Sequence, residues 1–225
     1  MRLLSPLEAR VLGVLVEKQS TVPDTYPMSL NGLVGGCNQK SARLPVMEAA
    51  SDEVMAALDG LKGLSLVFEG SGSRVVKFEH NTGRVLHVPS QAVALLAVLM
   101  LRGPQTSAEL RLNSERLHHF ADVSSVEGFL EELVAKEVPL VIKLAVAPGA
   151  REPRWAHLLC GEVTQEAYVH EAEAGGNGAG MCAAISIGEL AALRAEQTRL
   201  AGELEALREQ VQRMAQELGM TPPRS

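Results

Sequence analysis

The chain has 225 residues, a net charge of −6, and only four Phe, two Tyr and one Trp. That length holds one large domain or two small ones, and with so few aromatics Leu, Val, Ala and Met must fill the cores. The charge divides as −1 over residues 1–80, −1 over 81–165 and −4 over 166–225, so neither of the first two stretches has the basic balance of a domain that binds nucleic acid chiefly by neutralising phosphates.

The amino terminus enters an amphipathic segment almost at once and shows no secretory signal. A first helix is predicted over Pro6–Lys18, with Ser5 as N-cap, Pro6 at the first helical position and Glu8 at the third, a capping box. Leu7, Val11, Val14 and Leu15 share one stripe at helical spacing. Thr21–Pro27 holds two prolines and breaks that helix. A short second helix follows near Ser29–Cys37, with Leu30, Leu33 and Val34 inward. The third starts after Ser51, read as its cap, with Asp52 and Glu53 in its first turn and Val54, Ala57, Leu58 and Leu61 inward. Leu66-Val67-Phe68 and Val75-Val76-Lys77-Phe78 flank a Gly/Ser loop and read as a hairpin. Three helices and then a hairpin is the order of a winged helix-turn-helix domain.

The same order returns. Val11–Lys18 matches Leu95–Arg102, Val54–Leu61 matches Val126–Leu133, and Lys77–His80 matches Arg154–His157. The second copy is predicted as a helix over Ser90–Arg102, a short one near Ser107–Arg111, a third over Ser125–Lys136, and strands near Leu140–Val146 and Arg154–Leu159. The apolar run Ala92–Leu101 is about half of a membrane span and reads as a buried helix. Trp155 falls where Phe78 falls in the first copy, which assigns it to the core.

Beyond Cys160 the composition changes. Gly175–Gly180 is a flexible linker, and a heptad register follows it. Leu190, Gln197, Leu204, Val211 and Leu218 take the a positions, and Leu193, Leu200, Leu207 and Met214 take d. Four such heptads predict a coiled coil about 40 Å long. Glu189 and Glu203 at g precede Arg194 and Arg208 at e, the pairing of parallel strands, and Gln197 is the buried polar residue that fixes register. A parallel homodimer is the expectation; the alternative is a helix folded back on its own domains. The fold class is therefore α+β and mostly helical, with winged-helix domains at 1–82 and 83–165, a linker at 166–185 and a coiled-coil helix at 186–219. Cys37, Cys160 and Cys182 are odd in number and widely spaced, as in a cytoplasmic protein with reduced thiols.

Several stretches resemble the YceH-like family of uncharacterised bacterial proteins: Leu7–Gly13, Tyr26–Asn31, Cys37–Arg43, Leu101–Thr106 and Glu109–Arg111. The similarity spans about residues 3–162. It implies tandem winged helices and implies no activity. The linker and heptads lie outside that span, which makes dimerisation a property of this member.

The densest polar cluster is Asn38-Gln39-Lys40-Ser41-Ala42-Arg43. Lys40 and Arg43 suit phosphate or carboxylate, and Asn38 and Gln39 suit base edges or a peptide backbone. The alternative is a hydrogen-bonded loop that satisfies helix ends. Arg74 and Lys77 are the basic residues of the first wing. A secondary set is Arg102, Gln105, Arg111 and Arg116, interrupted by Glu109 and Glu115. The third helix of such a domain normally enters the major groove, yet Asp52, Glu53 and Asp59 face outward against Lys62, and Glu127, Glu131, Glu132 and Glu137 against Lys136. Acid on both presumed reading helices opposes ordinary DNA reading.

No catalytic constellation emerges. His157 and Cys160 fall on opposite faces if both sit on a strand, the His118-His119 pair diverges, and no phosphate-cradling glycine loop is present. No cofactor or metal is expected. The favoured expectation is a homodimeric protein-binding adaptor without membrane association; the second is a DNA-binding regulator using the 38–43 loop and the wings.

Overall fold

The computed structural model describes residues 2–70, 75–146 and 150–162. The linker, every heptad position from Leu190 to Leu218, the tips of both hairpins and Arg74 lie outside the described residues. The described residues all belong to one compact unit, Met1–Glu173. The architecture is α+β, about half helical among the described residues, with two small antiparallel sheets.

Helix α1 (Pro6–Thr21) begins as its capping signal requires. Ser5 Oγ accepts the Glu8 N–H at 3.1 Å, and the Glu8 carboxylate accepts the Ser5 N–H at 2.7 Å. The helix runs three residues past Lys18, until Pro23 opens a 3-10 turn at Pro23–Thr25. Strand β1 (Met28–Ser29) and helix α2 (Leu30–Cys37) follow. Ser29 lies outside the helix and caps it, its hydroxyl accepting the Gly32 N–H at 3.3 Å. Helix α3 (Ser51–Gly63) has Ala50, not Ser51, at its cap; the Glu53 carboxylate accepts the Ala50 N–H at 2.8 Å instead.

Strands β2 (Val67–Gly70) and β3 (Lys77–His80) form the hairpin; β2 starts one residue and ends two residues later than expected, and β3 lies two residues later at both ends. Sheet order is β1-β3-β2, with Met28 opposite Phe78 and Glu69 opposite Phe78 on the other side. The two-residue β1 is too short to show a strand's alternating pattern, and the five-residue α4 (Thr82–Leu86), which joins the repeats, is too short to show a helical period.

Helix α5 (Ser90–Arg102) has the predicted bounds. Helix α6 (Ser107–Ser114) is one turn of helix longer than read, and α7 (Val123–Val134) starts earlier because Asp122 caps it, accepting the Ser125 N–H at 2.7 Å. Strands β4 (Val141–Lys143) and β5 (Trp155–His157) close the repeat. Gln105 bridges Trp155 antiparallel, at the place where Met28 pairs with Phe78 in the first copy. Phe78 and Trp155 are both buried, and the Trp155 indole N–H donates to Ser107 Oγ at 3.1 Å.

One hydrophobic core runs through both repeats, and α1 packs on α5 at its centre. This explains why burial extends around α1 from Glu8 to Val16 and along α5 from Ala92 to Leu101, well beyond a single stripe. Each fully buried Leu or Val here contributes about 1.5–3 kcal/mol over an exposed one. Gly13 permits the close approach: a Cβ there would lie 3.0 Å from Leu101 Cγ and 3.4 Å from Met100 Cβ. Among the described residues no helix is long and apolar enough to cross a membrane.

Candidate functional site

The loop from Asn38 to Ala50 joins α2 to α3 and is anchored at Asn38, Arg43 and Leu44, while Lys40, Ser41, Pro45, Val46, Glu48 and Ala50 are exposed. Arg43 is buried, and its guanidinium donates to both Glu17 carboxylate oxygens at 3.1 and 2.6 Å, to Gly36 O at 3.1 Å and to Gln39 Oε1 at 3.3 Å. Burial would raise the Glu17 carboxyl, but Arg43, with help from Lys18, outweighs it and holds that group below the ordinary range. Asn38 pairs with the Ala49 backbone in both directions, donating at 2.9 Å and accepting at 2.7 Å. Gln39 donates to Ser41 Oγ at 3.2 Å. Lys40 alone in the basic cluster is exposed, with no partner among the described residues.

A residue that the polar pattern passed over anchors the same loop. Arg10 is 1% exposed on α1 and donates to Cys37 O at 3.2 Å and Pro45 O at 2.6 Å. Burial, and secondarily Arg43, pulls its pKa down. Its position carried a signal: Arg10 stands three residues after Leu7 and four before Val14, inside the apolar stripe. The loop is also tied to the second repeat, the Leu44 N–H donating to Leu101 O at 2.8 Å. Burial pushes the adjacent Cys37 thiol up to about 11, away from thiolate chemistry.

The other candidates divide in the same way. Lys77 is half-buried on β3, with its backbone opposite Ser29 and Gly70. Arg102 is half-buried at the end of α5. Gln105 is 4% exposed and donates to Val98 O at 3.4 Å and Gly103 O at 3.3 Å. Arg111 donates to Phe120 O at 3.1 Å and Ala121 O at 3.0 Å. Arg116 is exposed without a partner among the described residues. Arg154 is engaged with Pro104 O at 2.9 Å and with Glu109 at 3.0 Å. Among the described residues the basic candidates are therefore not gathered at one surface: Arg43 and Arg111 stabilise loops, and Lys40 and Arg116 are exposed in different repeats.

The acidic faces are largely as the helical spacing placed them, except that Glu127 is half-buried and Glu137 lies beyond the end of α7. On α3, Asp52, Glu53 and Asp59 are exposed, and Lys62 pairs with Asp59 at 2.8 Å and Glu69 at 2.7 Å. On α7, Glu131 and Glu132 are exposed, while Glu127 accepts from Ser107 Oγ at 3.0 Å. The histidines are separate. His119 Nδ1 meets Glu115 at 2.6 Å, and His118 packs edge-on to Phe120. Strand β5 ends at His157, so Cys160 lies in a turn and not on the expected strand, its Sγ 3.8 Å from Ser5 O.

A family model described as "Protein of unknown function, DUF480" matches residues 4–150. A UPF0502 protein of Burkholderia multivorans is 64% identical over 220 residues, covering 98% of this chain and 91% of its own length. A UPF0502 protein of Burkholderia cenocepacia has the same identity and coverage, and one of Burkholderia lata is 62% identical over 220 residues. The alignments to these relatives run on past residue 162 into the tail, so the similarity is not confined to the first two repeats as the sequence motifs suggested.

Proposed function

The chain belongs to the DUF480 family, and from that premise we propose that it is a non-catalytic, homodimeric adaptor that binds a protein partner through tandem winged helices. Helix, short strand, helix, helix and two-stranded ribbon, with the first strand paired to the ribbon, supports a winged helix at residues 1–82. The Gln105–Trp155 bridge supports the same arrangement at 83–165. The heptad register from Leu190 to Leu218 supports dimerisation.

The observation that carries the adaptor reading is where the charges go. The guanidinium of Arg43 is turned inward onto Glu17, whereas the outward faces of α3 and α7 carry exposed carboxylates. Carboxylates at the groove-facing position are repelled by phosphate, and the affinity of DNA-binding proteins comes largely from cations that release counterions. A DNA-binding regulator is the second reading, favoured by the fold and by the exposed Lys40.

Titration of the full chain with a duplex of mixed sequence over a salt series separates the two. The adaptor reading expects weak binding, a shallow dependence on salt, and no change in Lys40→Ala plus Arg116→Ala. A steep dependence, reduced by about one unit of log–log slope for each cation removed, overturns it in favour of the regulator.

A further inference from the structure

Two neighbouring cavities of about 320 and 380 Å³ share His80, Gly83 and Arg84. The larger lies where the repeats meet, a common position for ligand sites, and its volume falls in the range of small-molecule pockets, roughly 300–1,000 Å³. Its apolar surface comes from Val16 of α1, Val93 and Ala94 of α5, and Leu117 beyond α6. At its rim, Arg84 is exposed and has no carboxylate partner among the described residues. Gln19, Ser20 and Ser90 add uncharged polar groups, and no Asp or Glu lines this cavity.

His80 adds no charge at neutral pH. Burial pushes it down to about 4, and its Nε2 lies 2.8 Å from Gln19 Oε1, which fits the neutral ring donating to that oxygen. The larger cavity therefore holds one fixed positive charge beside a lining in which apolar and polar surface are about equal. The smaller differs in having Glu79 beside Arg84.

We propose that the larger cavity is a binding site for a small organic monocarboxylate with an apolar body. The planar guanidinium of Arg84 matches a carboxylate through two parallel hydrogen bonds, and the body of the ligand covers Val16, Val93, Ala94 and Leu117. A single cation with no second basic residue in the lining suits a monoanion better than a phosphate. The proposal stands independently of the adaptor reading.

The test is methyl-detected NMR of the full chain titrated with 4-phenylbutyrate, with the uncharged 4-phenylbutanamide, and with inorganic phosphate. The expected result is saturable shifts at the methyls of Val16, Val93, Ala94 and Leu117 with phenylbutyrate, and affinity for the amide weaker by about tenfold, the scale of hydrogen bonds to a charged group. Phosphate leaves those methyls unmoved. Arg84→Gln, at an exposed position, keeps the melting temperature and lowers phenylbutyrate affinity by about tenfold, and Ser20→Trp at the rim abolishes binding. Absence of shifts at these methyls, equal affinity for the amide, the same shifts with phosphate, or undiminished binding by Arg84→Gln each overturns the proposal.

Discussion

Arg43 and Lys40 stand three residues apart in one polar cluster, yet the Arg43 side chain is fully out of solvent and the Lys40 side chain is in it. Removing one partner of a buried ion pair strands the other charge, at a cost of about 3–5 kcal/mol when both are fully buried. Glu17 keeps 16% of its side-chain exposure, so Arg43→Met is expected to lose about 2–3 kcal/mol, while Lys40→Ala stays within about 0.5 kcal/mol of the parent. Urea melts of the two variants check this; equal midpoints would contradict the structural role of Arg43. Burial pushes His80 and His157 down to about 4 from an ordinary value of 6.5. Both are neutral in the fold, and the unfolded chain binds the extra protons between those values. Their stabilisation is thus complete above about pH 6.5 and lost as the pH falls toward 4, by on the order of 1–3 kcal/mol per histidine. Melting temperature against pH should fall through that window, and less steeply in His80→Gln. Residue type alone marked the polar cluster but not the direction of its side chains, because Arg43 meets Glu17 across 26 residues of chain.

At the scale of elements, helix starts were the most legible feature. Ser5 and Ser29 each cap a helix with a hydroxyl that accepts a backbone N–H three residues on, a local interaction written in local sequence. Ser5 was legible as a cap, whereas Ser29 was read as the first residue of its helix, Ser51 was read as the cap in place of Ala50, and α7 starts two residues before the expected Ser125 because Asp122 caps it. Strand β1 left no trace, since its pairing with β3 is made across 50 residues of chain and not within the strand. The contact between α1 and α5 was equally silent, though Gly13 is the residue that permits it. Gly13→Leu must force Leu101 and Met100 aside and is expected to cost about 3 kcal/mol, at the upper end of overpacking effects. Gly35→Ala in α2 meets nothing within 4 Å and should gain about 0.5–1 kcal/mol from helix propensity. Thermal unfolding of the two variants gives opposite signs if α1 and α5 approach as described, and a neutral Gly13→Leu would refute that approach.

The whole molecule turns a duplicated sequence into a single core. Because both copies contribute to it, neither central helix has a solvent face along its middle, and the ten-residue apolar run Ala92–Leu101 is buried from end to end. The proposed homodimer is tested at this scale: by light scattering the full chain is expected to have the mass of two copies and the chain lacking residues 174–225 the mass of one, and a truncated chain that still has the mass of two copies rules out assembly through the heptads. The sequence by itself determined the internal repeat, the capped start of α1, both ends of α5 and most of the acidic outward faces of α3 and α7, since these follow from the chain's own pattern and from neighbours three or four residues apart; β1 and α4 were not among them. Only the tertiary structure decided that Arg43 and Arg111 serve the fold, that Arg10 anchors the 38–45 loop from inside α1, and that Arg84 lines a cavity together with residues of α1 and α5. Each of those depends on which distant residue lies opposite, and that is set by packing across the chain and has no local period to reveal it.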